Sequence, residues 1–259
     1  MDLGVTGRWA IVAGSTRGLG RACAASLAQE GANLVINSRD HAGCEEAAAA
    51  LRQSYGVEVR AVAADVATAS GRHDLVAACP APDILVTNCA GPPPTAFITN
   101  TAAQWQDAFE MNFHSAVGLI QLVLPRMRER SFGRIVNLTS AMVTTPHPFM
   151  TLSIAARTAL TGVAKAVSKE VASDNVTINN LLPERIDTGR QREMADLQVQ
   201  LRGITLEQAY GEIADSITAK RLGRPEEVGD CCAFLCAAQS GFLTGQNIHL
   251  DGGTYGGLV

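Results

Sequence analysis

The chain has 259 residues, of which 47% are hydrophobic and 18% charged, with a formal net charge of -4. That apolar fraction excludes a disordered chain and is enough for one large core or two small ones. No basic run exists to build a nucleic-acid groove, and the apolar stretches are too short and broken to span a bilayer, so neither partner is expected.

Met1–Arg8 lacks the charged-then-apolar pattern of a signal peptide, so a cytoplasmic location is expected. The seven cysteines (Cys23, Cys44, Cys79, Cys89, Cys231, Cys232, Cys236) show neither a CxxC pair nor a histidine at zinc spacing. They read as small buried hydrophobes, with no metal site.

In chain order, β-rich runs are expected at Trp9–Ala13, Asn33–Asn37, Val57–Ala63, Ile84–Asn88, Arg134–Leu138, Val176–Leu182 and Asn247–Leu250. Between them lie helical stretches such as Leu19–Glu30, Cys44–Ser54, Ala102–Met127 and Ile154–Ala172. Near-continuous apolar strands alternating with helices predict a single-domain α/β fold, a doubly wound parallel sheet of Rossmann type with about seven strands. Such sheets bind ligands beyond the carboxyl ends of their strands. The polar, helical stretch Thr188–Lys220 reads as an insertion over that end, where a substrate lid would sit.

The first strand runs into Gly14-Ser15-Thr16-Arg17-Gly18-Leu19-Gly20 and then a helix. Glycines let a backbone turn tightly and approach a pyrophosphate, and a helix N-terminus offers free N–H groups and partial positive charge. All seven residues are therefore candidate cofactor contacts. The second strand ends Asn37-Ser38-Arg39, with no carboxylate before Asp40. A carboxylate there would accept from ribose hydroxyls, whereas a guanidinium would pair with a 2'-phosphate. Ser38 and Arg39, with Arg17, thus favour NADP(H) over NAD(H). The competing reading makes Arg39 a solvated charge and gives Asp40 the acid's role.

The GxxxGxG spacing resembles that of the short-chain dehydrogenase/reductase family, and further landmarks follow in order from Gly7 to Gly253. Asp65-Val66 resembles the pair beside the adenine. Asn88-Cys89-Ala90-Gly91 resembles NNAG, with Cys89 as a departure. Pro183-Glu184-Arg185-Ile186-Asp187-Thr188 resembles the PGxxxT stretch that meets the nicotinamide amide. Asn112 and Ser140 match the family's helix asparagine and catalytic serine. The resemblance, strongest to 3-oxoacyl-thioester reductases, implies Asp65, Val66, Asn88, Ala90, Gly91, Pro183, Ile186 and Thr188 as cofactor contacts. It also implies a homotetramer or homodimer through the apolar faces of Ala108–Leu124 and Ala159–Val171, faces that equally suit packing within a monomer.

The family's Tyr-x-x-x-Lys motif falls on Ser153-Ile154-Ala155-Ala156-Arg157, so Ser replaces Tyr and Arg replaces Lys. A phenol has a pKa near 10, and an aliphatic hydroxyl is a far weaker acid. Ser153 is therefore a poor proton donor, while Arg157 keeps positive charge but cannot relay its proton. His147 is the other nearby titratable group, read either as the proton source or as an idle loop residue. His114 reads as structural or solvent-facing, and Met142, Phe149 and Met150 as either pocket lining or core. Two functions follow: NADPH-dependent reduction of a carbonyl compound (a ketone or 3-oxoacyl thioester), or NADP(H) binding without dehydrogenase turnover.

Overall fold

A computed structural model of the chain describes residues 2–258. Seven parallel strands form one sheet in the order β3-β2-β1-β4-β5-β6-β7. They are β1 (Trp9–Val12), β2 (Asn33–Ser38), β3 (Val59–Ala63), β4 (Ile84–Thr87), β5 (Gly133–Leu138), β6 (Val176–Pro183) and β7 (Asn247–Leu250). Helices α1 (Gly18–Gln29), α2 (His41–Tyr55) and α3 (Ala69–Ala77) cross over between the first four strands. Helices α4 (Ala102–Phe109), α5 (Ser115–Glu129) and α6 (Thr151–Val171) flank β5 in sequence, and α7 (Gly189–Arg202), α8 (Leu206–Ser216) and α9 (Pro225–Cys236) precede β7.

The central strands are apolar on both faces because helices cover both. One core joins Ala10, Val12, Ile36, Val86 and Val136 to α1, α2 and α9. The other joins Ile11, Leu85, Ile135 and Ile178 to α3, α5 and α6. The alternation of Ile11 and Val12 between the two cores is the period of two expected of a strand. Ala195, Ala209, Ile213 and Ile217 form a third, small core that holds α7 and α8 together.

On the α6 face a polar ladder crosses four strands. Thr87 Oγ1 donates to Asn137 Oδ1 (2.7 Å), Asn137 Nδ2 to Asn180 Oδ1 (2.9 Å), and Asn180 Nδ2 to Asn247 Oδ1 (2.8 Å). Each buried amide finds its partner on the neighbouring strand, so the ladder favours this register over a slipped one.

The strands fall within two residues of their sequence expectations. The helix expected over Ala102–Met127 is instead interrupted by a five-residue π-turn, Glu110–His114, between α4 and α5. The physical reason lies in its neighbours, described below. Helix α3 has a weak sequence signal, because it contains Gly71 and a polar run.

Truncating the ladder at Asn137 leaves Thr87 Oγ1 and Asn180 Oδ1 buried without these partners. Asn137→Ala is expected to lower unfolding free energy by about 2–3 kcal/mol. Urea titration followed by circular dichroism measures it.

Candidate active site

The functional candidates gather past the carboxyl ends of the strands. Gly14 and Gly18 both adopt positive φ (58° each), as the tight turn after β1 requires. A Cβ on Gly20 would lie 2.3 Å from the Gly14 carbonyl oxygen and 2.8 Å from Asn88 Nδ2. That amide donates to the same Gly14 oxygen at 2.9 Å, locking the loops after β1 and β4 together. Ser15 is fully buried: its N–H and hydroxyl donate to Asn37 O (2.9 Å) and Val12 O (2.6 Å), and its Oγ accepts from Asn37 N (3.0 Å). Ser15 therefore shapes the loop and has no donor left over for a ligand. Leu19 packs on the core, and Thr16 is half-buried beside the turn.

The helix ends differ in a telling way. Side chains of Asp40, Thr68, Thr101, Thr188 and Thr205 cap α2, α3, α4, α7 and α8, whereas α1, like α5, α6 and α9, begins with no side-chain cap hydrogen bond. Its first-turn amides are left for a ligand, and a pyrophosphate suits them in charge and shape. Arg17, the residue before α1, is exposed, as is Arg39 after β2. Among the described residues, neither forms an ion pair or a side-chain hydrogen bond. Asp40 Oδ2 accepts from Gly43 N at 3.1 Å, so its carboxylate serves α2. Ser38 Oγ donates to Asp40 O at 2.9 Å. This end of the sheet fits a dinucleotide whose adenosine carries an extra phosphate.

Asp65 lies past β3, its carboxylate accepting from Ala67 N at 3.0 Å, and Val66 is buried in the core. Ile186 is buried against Gly223, and Thr188 caps α7. Pro183 ends β6. These residues follow β3 and β6, strands on opposite sides of β1 and β4, as a ligand lying across the sheet would need.

The reactive end is built by α6 and the π-turn. Leu152, Ala156, Leu160, Ala164 and Ser168 recur every four residues on the buried stripe of α6. Ser153 and Arg157 stand one turn apart on the adjoining face. The Arg157 Nε donates to Asn112 Oδ1 (3.1 Å), and its Nη1 donates to Thr139 O (3.2 Å), the carbonyl just before Ser140. Its Nη2 lies 3.4 Å, and Ser153 Oγ 3.9 Å, from the point a Cβ on Gly91 would occupy. Asn112 Nδ2 in turn donates to Ala108 O (3.3 Å) and Ala90 O (3.5 Å). Ser140 Oγ accepts from Met142 N (3.2 Å), which leaves its hydroxyl hydrogen free to donate elsewhere.

The π-turn has a local cause. It exposes the Met111 carbonyl, which accepts from Cys89 Sγ (2.6 Å) and Ser115 Oγ (2.5 Å). Such bulges re-aim side chains at functional sites, and this one turns Asn112 inward against Arg157. Burial pushes the Cys89 thiol above its ordinary range, opposed by the positive charge of Arg157. Burial also lowers Arg157 from its usual value, with the Cys89 thiol opposing and the like charge of Arg190 adding to the fall. Thr87, Cys89, Asn112, Ser115 and Arg157 line a cavity of about 10 Å³. That is the lower limit for one water.

Sequence reasoning missed Thr139, Met111, Ser115 and Arg190. Only Thr139 had a usable signal, its place beside Ser140. The π-turn itself has no sequence signature. His147 is exposed on the turn after β5, its Nδ1 2.8 Å from the Pro148 carbonyl. Phe149 is also exposed, at 59%, while Met142 and Met150 are half-buried. His114 is exposed and packs edge-on against Phe113.

A family model described as enoyl-(acyl carrier protein) reductase matches residues 13–255. The 3-oxoacyl-(acyl-carrier-protein) reductase of Staphylococcus epidermidis is 30% identical over 253 residues, 95% of this chain and 98% of that protein. Among solved structures, L-sorbose reductase from Gluconobacter frateurii, complexed with NADPH and L-sorbose, matches with a TM-score of 0.95. It is 30% identical, and the match covers 100% of both chains. A 3-oxoacyl (acyl-carrier-protein) reductase from Agrobacterium tumefaciens C58 with NADP bound matches at 0.88. It is 29% identical, over 97% of this chain and 96% of that one.

The glycine cradle can be tested. A methyl at Gly20 must displace the Gly14 turn, so Gly20→Ala is expected to weaken NADPH binding by about tenfold or more. Gly162→Ala is the control, since its Cβ would meet nothing within 4 Å. It should bind as wild type does. NADPH fluorescence titration distinguishes the two.

Proposed function

The chain belongs to the short-chain dehydrogenase/reductase family, and we propose that it is an NADPH-dependent reductase of a carbonyl compound with an altered proton-transfer site. The observation that carries this reading is the convergence of Ser153 and Arg157 on Gly91, with Arg157 also bonded to the carbonyl of Thr139, the residue before Ser140. NADP(H) is the cofactor, held by Gly14, Gly18 and Gly20, with Arg17 and Arg39 on its extra phosphate. Its nicotinamide, when bound, supplies the hydride.

The chain's own residues then have separable tasks. The Ser140 hydroxyl, oriented by Met142 N, donates to the substrate carbonyl oxygen. Arg157 places positive charge near the oxygen as it gains electron density, and Asn112 fixes the guanidinium plane. Ser153 adds a hydrogen bond but is too weak an acid to give up its proton. The proton that completes the alcohol comes from water. His147 is exposed, with Nδ1 engaged at Pro148, and serves at most as a carrier from bulk solvent. Helices α7 and α8 lie over the substrate as a lid, tied down where Arg190 Nη2 donates to Pro92 O at 3.2 Å.

A second reading, NADP(H) binding without turnover, draws support from the same Ser153. NADPH oxidation measured across a panel of ketones and 3-oxoacyl thioesters decides between them. If NADPH binds and no compound is reduced, the reductase reading fails. In the reductase reading, Ser140→Ala should lower kcat/KM by about a hundredfold. His147→Ala should leave turnover within about twofold, since water donates the proton.

The cofactor choice gives another test. Arg39→Asp should weaken NADPH binding by about tenfold to a hundredfold and narrow its preference over NADH, as a carboxylate repels the phosphate it faces. Binding titrations with both nucleotides measure the ratio.

A further inference from the structure

Among the described residues two arginines reach into the interior, Arg134 fully buried and Arg157 half-buried, and they are satisfied in very different ways. Arg134, 1% exposed on β5, uses every arm of its guanidinium. Its Nε donates to Ala237 O, Nη1 to Gly133 O and Asn175 O, and Nη2 to Asn175 Oδ1 and Ala238 O. The Phe132 ring lies 4.4 Å from its centre. This is a structural arginine, its charge spread over a shell of oxygens.

Arg157 is different. Its Nε and one Nη1 hydrogen are engaged, on Asn112 and Thr139, and Nη2 has no acceptor among the described residues. Among the described residues no carboxylate lies within 4.0 Å of it, whereas surface arginines such as Arg126, Arg190, Arg192, Arg202 and Arg221 have acidic partners. Cys89, the titratable group beside it, is held as a neutral thiol by burial. Arg190 brings a second positive charge toward the same place, through its bond to Pro92 next to Gly91, and has Glu193 at 3.3 Å as its own counter-ion. Arg157 has none.

A half-buried charge without a partner has lost part of its hydration, and a ligand that supplies the missing anion offsets that loss. Ribose hydroxyls can accept from Nη2 but bring no charge. The oxidised nicotinamide ring is itself positive, which sharpens the imbalance. The free edge of the guanidinium, Nη2 with the remaining Nη1 hydrogen, is the fork that binds a carboxylate through two parallel hydrogen bonds. Ser153 Oγ stands beside that edge as a further donor. Resting on the reductase reading above, we infer that the substrate is an oxo acid: a carbonyl compound whose nearby carboxylate is bound by Arg157 and Ser153.

The replacement of the usual lysine then acquires a purpose. An ammonium is a point charge, whereas a planar fork fixes the orientation of a carboxylate and hence of the carbonyl next to it. The negative charge also offsets the repulsion between Arg157 and Arg190.

The test compares charged and neutral isosteres on the NADP-loaded protein. For wild type, NADP binding is first measured by calorimetry alone. At saturating NADP, 2-oxobutanoate and 3-oxobutanoate are then titrated against their amides at pH 7. At least one acid should bind about 10- to 100-fold more tightly than its amide. Arg157→Gln should bring that ratio close to one, and Arg157→Lys should keep part of it. Equal binding of acid and amide by wild type, no binding of either acid, or an undiminished ratio in Arg157→Gln would each overturn the inference. Reduction of neutral ketones alone would leave the reductase reading standing without it. Failure of wild type to bind NADP at all would instead remove the reductase reading.

Discussion

The turn between β1 and α1 depends on two backbones meeting with no side chain between them. The Gly14 carbonyl sits where a Cβ on Gly20 would have to be, and it also receives Asn88 Nδ2 from the loop after β4. Strands β1 and β4 are neighbours at the point where the strand order reverses. The same three groups therefore close the turn, aim α1 at the crevice and join the two halves of the sheet. A side chain at Gly20 would push these apart together, so the loop's geometry and the sheet's switch point cannot vary independently.

Once that turn is set, the remaining site residues are delivered by ordinary secondary structure. Strands rising in parallel bring Ser38, Asp65, Asn88, Ser140 and Pro183 to one end. A four-residue spacing on α6 brings Ser153 and Arg157 to one face. The polar ladder from Thr87 to Asn247 spans β4 to β7, which include the strands leading to Asn88, Ser140 and Pro183. Its hydrogen bonds hold the strand ends in register, which is where small displacements would matter most to the geometry of Ser140 and Asn112.

What could be read in the sequence was whatever depends on local pattern. Apolar runs such as Trp9–Ala13 and Arg134–Leu138 marked buried strands, and the glycine spacing marked the turn. The π-turn was not legible, because its cause is a thiol and a hydroxyl converging on the Met111 carbonyl, one of them from a different element. The role of Asp40 was open in the sequence because capping a helix and accepting from a ribose ask for the same residue type. The bond to Gly43 N shows the capping role. Ser15 was misleading for a related reason: it sits within the glycine-rich loop, yet its hydroxyl and N–H both turn into the sheet. The pairing of Arg157 with Asn112, 45 residues away, needed the fold itself.

On the proposed function, a hydroxyl and a guanidinium stand where the family resemblance implies a phenol and an ammonium, which moves the site along one chemical axis. Acid strength falls, since neither Ser153 nor Arg157 gives up a proton near neutrality. The capacity to hold negative charge rises, because a guanidinium offers a planar fork and is less strongly hydrated than an ammonium. On the proposed function, catalysis leans on electrostatic stabilisation of the forming oxyanion, with protonation left to water. Such a site works best when the charge of its arginine is balanced before hydride transfer begins, because an unbalanced guanidinium would draw in solvent and weaken its own field. A carboxylate on the substrate meets that requirement without adding an acidic residue to the protein, whose fixed negative charge beside the carbonyl would oppose the developing oxyanion in every turnover.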